Sequence, residues 1–179
     1  MKSIPALEKF VQVYDAGHSQ VISTTFVSDL ETPVSAMLKL AKGKPNSFLF
    51  ESVVGGDQWS QYTFLGTKPS QIWRLSRGVV EIWTPGTSWE PVQTTDPLQD
   101  LSNRLEQRRP VSSYDFPKFW GGAVGYFGYD VVRMIEELPN QPEDDLNLPD
   151  GLFAFMDVVL AVDNMAGSAM AIASVEVDM

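Results

Sequence analysis

Apolar positions along this chain recur at two spacings, one helical and one strand-like. Leu7, Phe10, Val11 and Tyr14 fall at i, i+3, i+4 and i+7, which predicts an amphipathic helix that Gly17 can close. Val21–Val27 is rich in β-branched residues and predicts a strand. Thr32-Pro33 supplies a cap and a first-turn proline for a second helix, with Val34, Met37, Leu38 and Ala41 on one face and Gly43 at its end. Phe48–Gly66 then reads as strand, glycine turn and strand. Phe48, Phe50 and Ser52 alternate with Leu49, Glu51 and Val53 before Gly55-Gly56 breaks the pattern, and Tyr62–Leu65 resumes it.

Further on, Ile72–Ser76 and Val79–Trp83 predict a hairpin around Arg77-Gly78. Thr84–Thr95, with Pro85, Gly86 and Pro91, reads as a surface loop. Asp96-Pro97 repeats the cap-and-proline start, and Leu98, Leu101 and Leu105 form the stripe of a third helix. Arg108–Lys118 is a proline-punctuated connection, Trp120–Phe127 a glycine-rich strand, and Val131–Leu138 a short helix with Asp130 near its cap. After an acidic loop over Asn140–Gly151, Phe153–Val162 and Ala169–Val177 are expected to pair antiparallel across Asn164–Ser168. Strands outnumber helices and short turns join most of them. The expected class is therefore α+β, a mainly antiparallel sheet with a few helices packed on one side.

At 179 residues the chain is expected to form one domain or one large piece of a bigger one, and its last strand, running almost to the end, reads as a cut. A hydrophobic content of 44% supports a real core. The net charge of −10 repels polyphosphate and anionic lipid, so neither nucleic acid nor membrane is an expected partner. Cysteine is absent, which excludes disulfides and thiolate metal sites. No apolar run approaches the roughly 18 residues of a membrane span, and no signal peptide is visible at the start. A soluble, cytoplasmic protein is expected.

Candidate chemistry concentrates at Glu51-Ser52, a polar pair inside an apolar strand. Leaving such groups buried without partners costs roughly 2–7 kcal/mol each. Either Glu51 is exposed and Ser52 bonds to nearby backbone, or the pair and the glycine turn form a small pocket. A carboxylate and a hydroxyl suit an ammonium group and turn amides suit a carboxylate, so a free amino acid is the matching ligand. Elsewhere the signals are structural. His18 is a lone histidine, and Glu136, Glu137, Glu143, Asp144 and Asp145 lack the ligand alternation of a calcium loop. Gly121-Gly122, Gly125 and Gly128 lack the order of a dinucleotide turn and point instead to close backbone approach. Trp59, Trp73, Trp83, Trp89 and Trp120 are expected in packing.

Three segments together resemble the large, chorismate-using subunit of anthranilate synthase, component I. They are Asp29–Ala36 (DLETPVSA), Phe48–Gly66 (FLFESVVGGDQWSQYTFLG) and Trp120–Arg133 (WGGAVGYFGYDVVR); Asp157–Asp163 is similar to a strand that closes the N-terminal region of that family. The resemblance implies the N-terminal region alone, over residues 1–179. The catalytic residues and the magnesium-binding carboxylates of the family lie in a C-terminal chorismate-binding domain absent here, so no catalytic residue and no cofactor is expected in this chain. It also implies a tryptophan effector site at Glu51 and Ser52, with Gln61 standing where the family has an arginine, and a contact with the glutamine amidotransferase subunit, component II. Loss of that cation removes a charge-assisted bond of roughly 1.5–3 kcal/mol if the arginine meets the effector's carboxylate. The alternatives are the corresponding region of aminodeoxychorismate synthase component I, against which DLETPVSA weighs, and a stand-alone amino-acid-binding module. Apolar surface left uncovered in such a piece predicts self-association.

Overall fold

A computed structural model describes residues 2–51, 61–108, 110, 116–140 and 143–177. Two compact units emerge. One comprises residues 1–69, 108–122 and 156–179, and the other residues 70–107 and 123–155.

The first unit is built on a six-stranded sheet. Its strands are β1 (Lys2–Ile4), β2 (Gln20–Val27), β3 (Phe48–Phe50), β4 (Tyr62–Gly66), β10 (Val158–Asp163) and β11 (Ser168–Val175), in spatial order β1-β2-β11-β10-β4-β3. Every one of these pairings is antiparallel. Alternation along the strands gives the sheet two apolar faces. Val21, Ala161 and Ile172 lie on one, packed with Tyr62, Phe64, Phe116 and Trp120; Leu65, Val162 and Ala169 lie on the other, with Leu49, Ala36 and Met37.

Two helices belong to this unit, α1 (Leu7–Asp15) and α2 (Pro33–Ala41). The cap expected at Thr32-Pro33 is present in full. Thr32 Oγ1 accepts from the Ser35 N–H, and Ser35 Oγ accepts from the Thr32 N–H, each at 3.0 Å. Lys42, in the left-handed region at φ 48°, ends α2 one residue before Gly43. The expected apolar face is only half used: Ala41 is buried and Met37 packs on the sheet, while Leu38 is 70% exposed. Helix α1 buries no residue fully.

In the second unit a five-stranded sheet runs in the order β7-β6-β5-β9-β8, from β5 (Gln71–Ser76), β6 (Val79–Trp83), β7 (Glu90–Val92), β8 (Gly122–Phe127) and β9 (Gly151–Met156). Helix α3 (Pro97–Gln107) packs Leu101, with Leu98 and Leu105 beside it, against Trp73, Leu75, Val80 and Phe155. Asp96 caps α3 by accepting from the Gln99 N–H at 2.9 Å. The Arg77-Gly78 hairpin is as expected: Ser76 pairs with Val79, and both turn residues have positive φ, 50° and 76°. That geometry belongs to the two-residue turn whose twist matches the strands. Gly125 shows the close approach expected of the glycine-rich strand. A Cβ there would lie 1.8 Å from the Leu152 carbonyl oxygen.

Three expectations are corrected. The loop over Thr84–Thr95 contains β7, whose Pro91 is tolerated because β7 lies at the sheet edge, where a missing N–H breaks no ladder. Phe153–Val162 is two strands rather than one. Asp157 divides it, with β9 entering the five-stranded sheet and β10 the six-stranded one, so the pair with β11 begins at Val158. The short helix is a 3-10 helix over Tyr129–Met134, preceded by Gly128, and Asp130 accepts from Arg133 Nε at 2.8 Å instead of capping. Among the described residues no helix is long and apolar enough to cross a membrane.

Candidate functional site

Glu51 and Gln61 lie at the end of the β3–β4 hairpin where the chain passes from one strand to the other. Register fixes them: Phe48 faces Gly66, Leu49 faces Leu65 and Phe50 faces Phe64. Glu51 follows directly after Phe50, past the last strand pair, and is exposed. It therefore incurs no burial penalty, in agreement with the plainer of the two alternatives for this carboxylate. Ser52 and Gly55-Gly56, like Trp59, lie outside the described residues.

Gln61 lies just before β4 and is half-buried, tied to the far end of the chain. Its Nε2 donates to Asp163 Oδ2 at 2.8 Å, and its carbonyl accepts from the Asn164 N–H at 2.9 Å. Register places the two side by side, since Tyr62 pairs with Asp163 across β4 and β10. An ionised carboxylate only accepts, so the amide presents its NH2 to Asp163 and leaves Oε1 as an acceptor.

Asp163 organises this corner. Its Oδ1 accepts from the N–H groups of Met165 and Ala166 at 3.0 and 2.9 Å, which shapes the turn into β11. Partial burial pushes its carboxyl up, but hydrogen bonds from Ala166, Gln61, Met165 and Tyr62 outweigh that penalty and hold it below the ordinary carboxylate range. Beside it, Asn164 Nδ2 donates at 3.0 Å to Thr63 Oγ1, which satisfies a hydroxyl on a fully buried residue.

Chemically, the Gln61–Asp163 corner is acidic and rich in acceptors, while Glu51 stands exposed just past the end of β3. It suits an ammonium group better than a carboxylate. A cation at position 61 would stand beside Asp163; the amide keeps a hydrogen bond there but brings no charge. Sequence reasoning passed over Asp163, Asn164 and Thr63. The only signal was an Asp-Asn pair ending an apolar strand, which reads as turn chemistry.

The remaining candidates fall into structural places. His18 is exposed. Trp73 is fully buried and donates from Nε1 to Asp100 Oδ2 at 2.9 Å, and Arg74 lies 3.9 Å over the Trp89 ring. Glu136, Glu137, Glu143, Asp144 and Asp145 are exposed, and among the described residues no three side chains of the metal-ligating types converge on one point.

No family model matches the chain. It is similar to anthranilate synthase component 1 of Cereibacter sphaeroides, 34% identical over 172 residues, covering 94% of this chain and 34% of that protein. The protein of the same name from Thermus thermophilus is 44% identical over 144 residues, 79% of this chain and 29% of the relative. Among solved structures, the crystal structure of anthranilate synthase component I from Streptococcus pneumoniae shares the fold. Its TM-score is 0.50 at 22% identity, over 84% of this chain and 31% of that one. The chain thus spans about a third of the length of the curated relatives it matches.

Proposed function

Because this chain belongs to the anthranilate synthase component 1 family, we propose that it is the N-terminal, non-reacting region of such an enzyme, serving regulation and subunit contact. The parent reaction is the conversion of chorismate and glutamine-derived ammonia to anthranilate and pyruvate, a lyase reaction of tryptophan biosynthesis in the cytoplasm. The observation that carries this proposal is the match itself: identity runs along 94% of this chain while occupying 34% of the relative.

In this proposal the effector is L-tryptophan, and its site draws on Glu51, Ser52 and Gln61. The acidic corner supports a division of roles. Glu51 and the Oε1 of Gln61 receive the ammonium group, and the effector's carboxylate turns away from Asp163, because two like charges brought together in a half-buried corner repel. Magnesium and the bond-breaking steps belong to the chorismate-binding part of the family. The glutamine amidotransferase subunit is the proposed protein partner.

An assay of the 179-residue chain with chorismate, magnesium and ammonium should yield no anthranilate above the uncatalysed background; sustained production would refute an inactive region. Calorimetric titration with tryptophan addresses the effector site. Binding that is weakened by Ser52→Ala and by Glu51→Gln supports it, whereas binding indifferent to both substitutions removes it from these residues.

A further inference from the structure

The 3-10 helix Tyr129–Met134 and the loop over residues 143–150 form the two sides of a groove of about 670 Å³, closed at one end by the Arg77-Gly78 turn. Its framework is tied down: Asp150 Oδ2 accepts from the Arg77 N–H at 2.8 Å, and the Asp150 carbonyl accepts from the Gly128 N–H at 2.7 Å. Large apolar side chains nevertheless stand open along it, Tyr129 at 85%, Leu146 at 72% and Leu148 at 64% exposed. Among the described residues, five carboxylates line it against two guanidiniums. Both guanidiniums are already engaged, Arg77 with the Asn147 side chain and Arg133 with Asp130 and the Leu138 carbonyl. Glu143 and Asp145 remain at the rim, exposed. Open apolar area flanked by uncompensated acid calls for a segment carrying both leucine-like side chains and lysines.

The chain itself carries one. Lys39, Lys42 and Lys44, three of its thirteen basic residues, fall within six positions at the C-terminal end of α2. Lys39 is held by Glu31, while Lys42 and Lys44 are exposed, and Leu38 and Leu40 beside them are 70% and 49% exposed. We propose that the groove is a self-association site, in which the Leu38–Lys44 segment of a second copy of this chain seats its leucines on the apolar floor and its lysines against Glu143 and Asp145. Donor and acceptor surfaces differ, so the contact is heterologous and can propagate from copy to copy.

Charge reversal tests this with opposite signs for specific and general effects. Glu143→Lys with Asp145→Lys moves the net charge from −10 to −6, which on overall repulsion alone would strengthen association; seating of the lysine segment requires that it be lost. Sedimentation velocity over a concentration series should show a rising mass for the parent chain. Monomer is expected for that variant and for Lys42→Glu with Lys44→Glu, each with an unchanged thermal midpoint. An equimolar mixture of the two variants restores opposite charges at both contacts, each variant's groove facing the other's segment, and should associate again. A parent chain that stays monomeric, either variant associating as well as the parent, or a mixture that remains monomeric would each overturn the proposal.

Discussion

The two units bury their helices to different depths. In the five-stranded unit, α3 sinks Leu101 to 5% exposure into a single core centred on Trp73, which has no exposed surface. In the six-stranded unit the strands bury residues on both faces, yet α1 buries none of its residues and α2 only Ala41. Amphipathic spacing is equally plain in all three helices, so periodicity alone does not determine how much of a stripe is covered. What distinguishes α3 is a partner of matching size and polarity: Trp73 offers both a large apolar surface and an indole N–H that Asp100 accepts on the same helix.

That contrast can be broken most forcefully at Trp73. Trp73→Ala should destabilise its unit by about 3–5 kcal/mol, whereas Leu38→Ala, on the exposed side of α2, should stay within about 0.5 kcal/mol, both read by urea denaturation. Next comes Gly125→Ala. The added methyl meets a backbone carbonyl that cannot swing aside, so β8 must shift against β9, at a cost of about 1–3 kcal/mol and with altered near-UV circular dichroism. A variant as stable as the parent would show that the two strands separate freely.

The smallest effect sharpens the comparison from the other unit. Asp163 has its folded-state pKa lowered, so its stabilisation is fully present above the unfolded value of about 3.8 and is lost as pH falls through the folded value. Denaturation midpoints followed from pH 5 downward should therefore fall less steeply for Asp163→Asn than for the parent chain. Equal slopes would mean that the turn hydrogen bonds do not favour the ionised form.

Local chemistry was readable in the sequence where it is self-contained. Thr32-Pro33, Asp96-Pro97 and Arg77-Gly78 each fix a few neighbouring dihedrals, and each forms as expected. Less readable were features set by distant partners. Nothing in the run Phe153–Val162 says that its one charged residue, Asp157, divides strands between two sheets; its carbonyl accepts from the Ser174 N–H, and its carboxylate pairs with Arg108 at 3.4 Å. Pro91 masked β7 because edge position, not composition, is what makes a proline acceptable in a strand. The polarity of Glu51-Ser52 was visible, but the partner of Gln61 lies 102 residues further along the chain.

The strand order carries a consequence for biosynthesis. Strands β10 and β11 occupy the middle of the six-stranded sheet, although they follow the other four strands in the chain. A nascent polypeptide released as far as residue 156 already owns all five strands of the other sheet, while β2 and β4 still await the neighbours that join them. Ribosomal delivery thus lets the Trp73 core consolidate ahead of its companion. The earliest strands must wait with open edges until β11 has been made, a period in which a chaperone has most to shield.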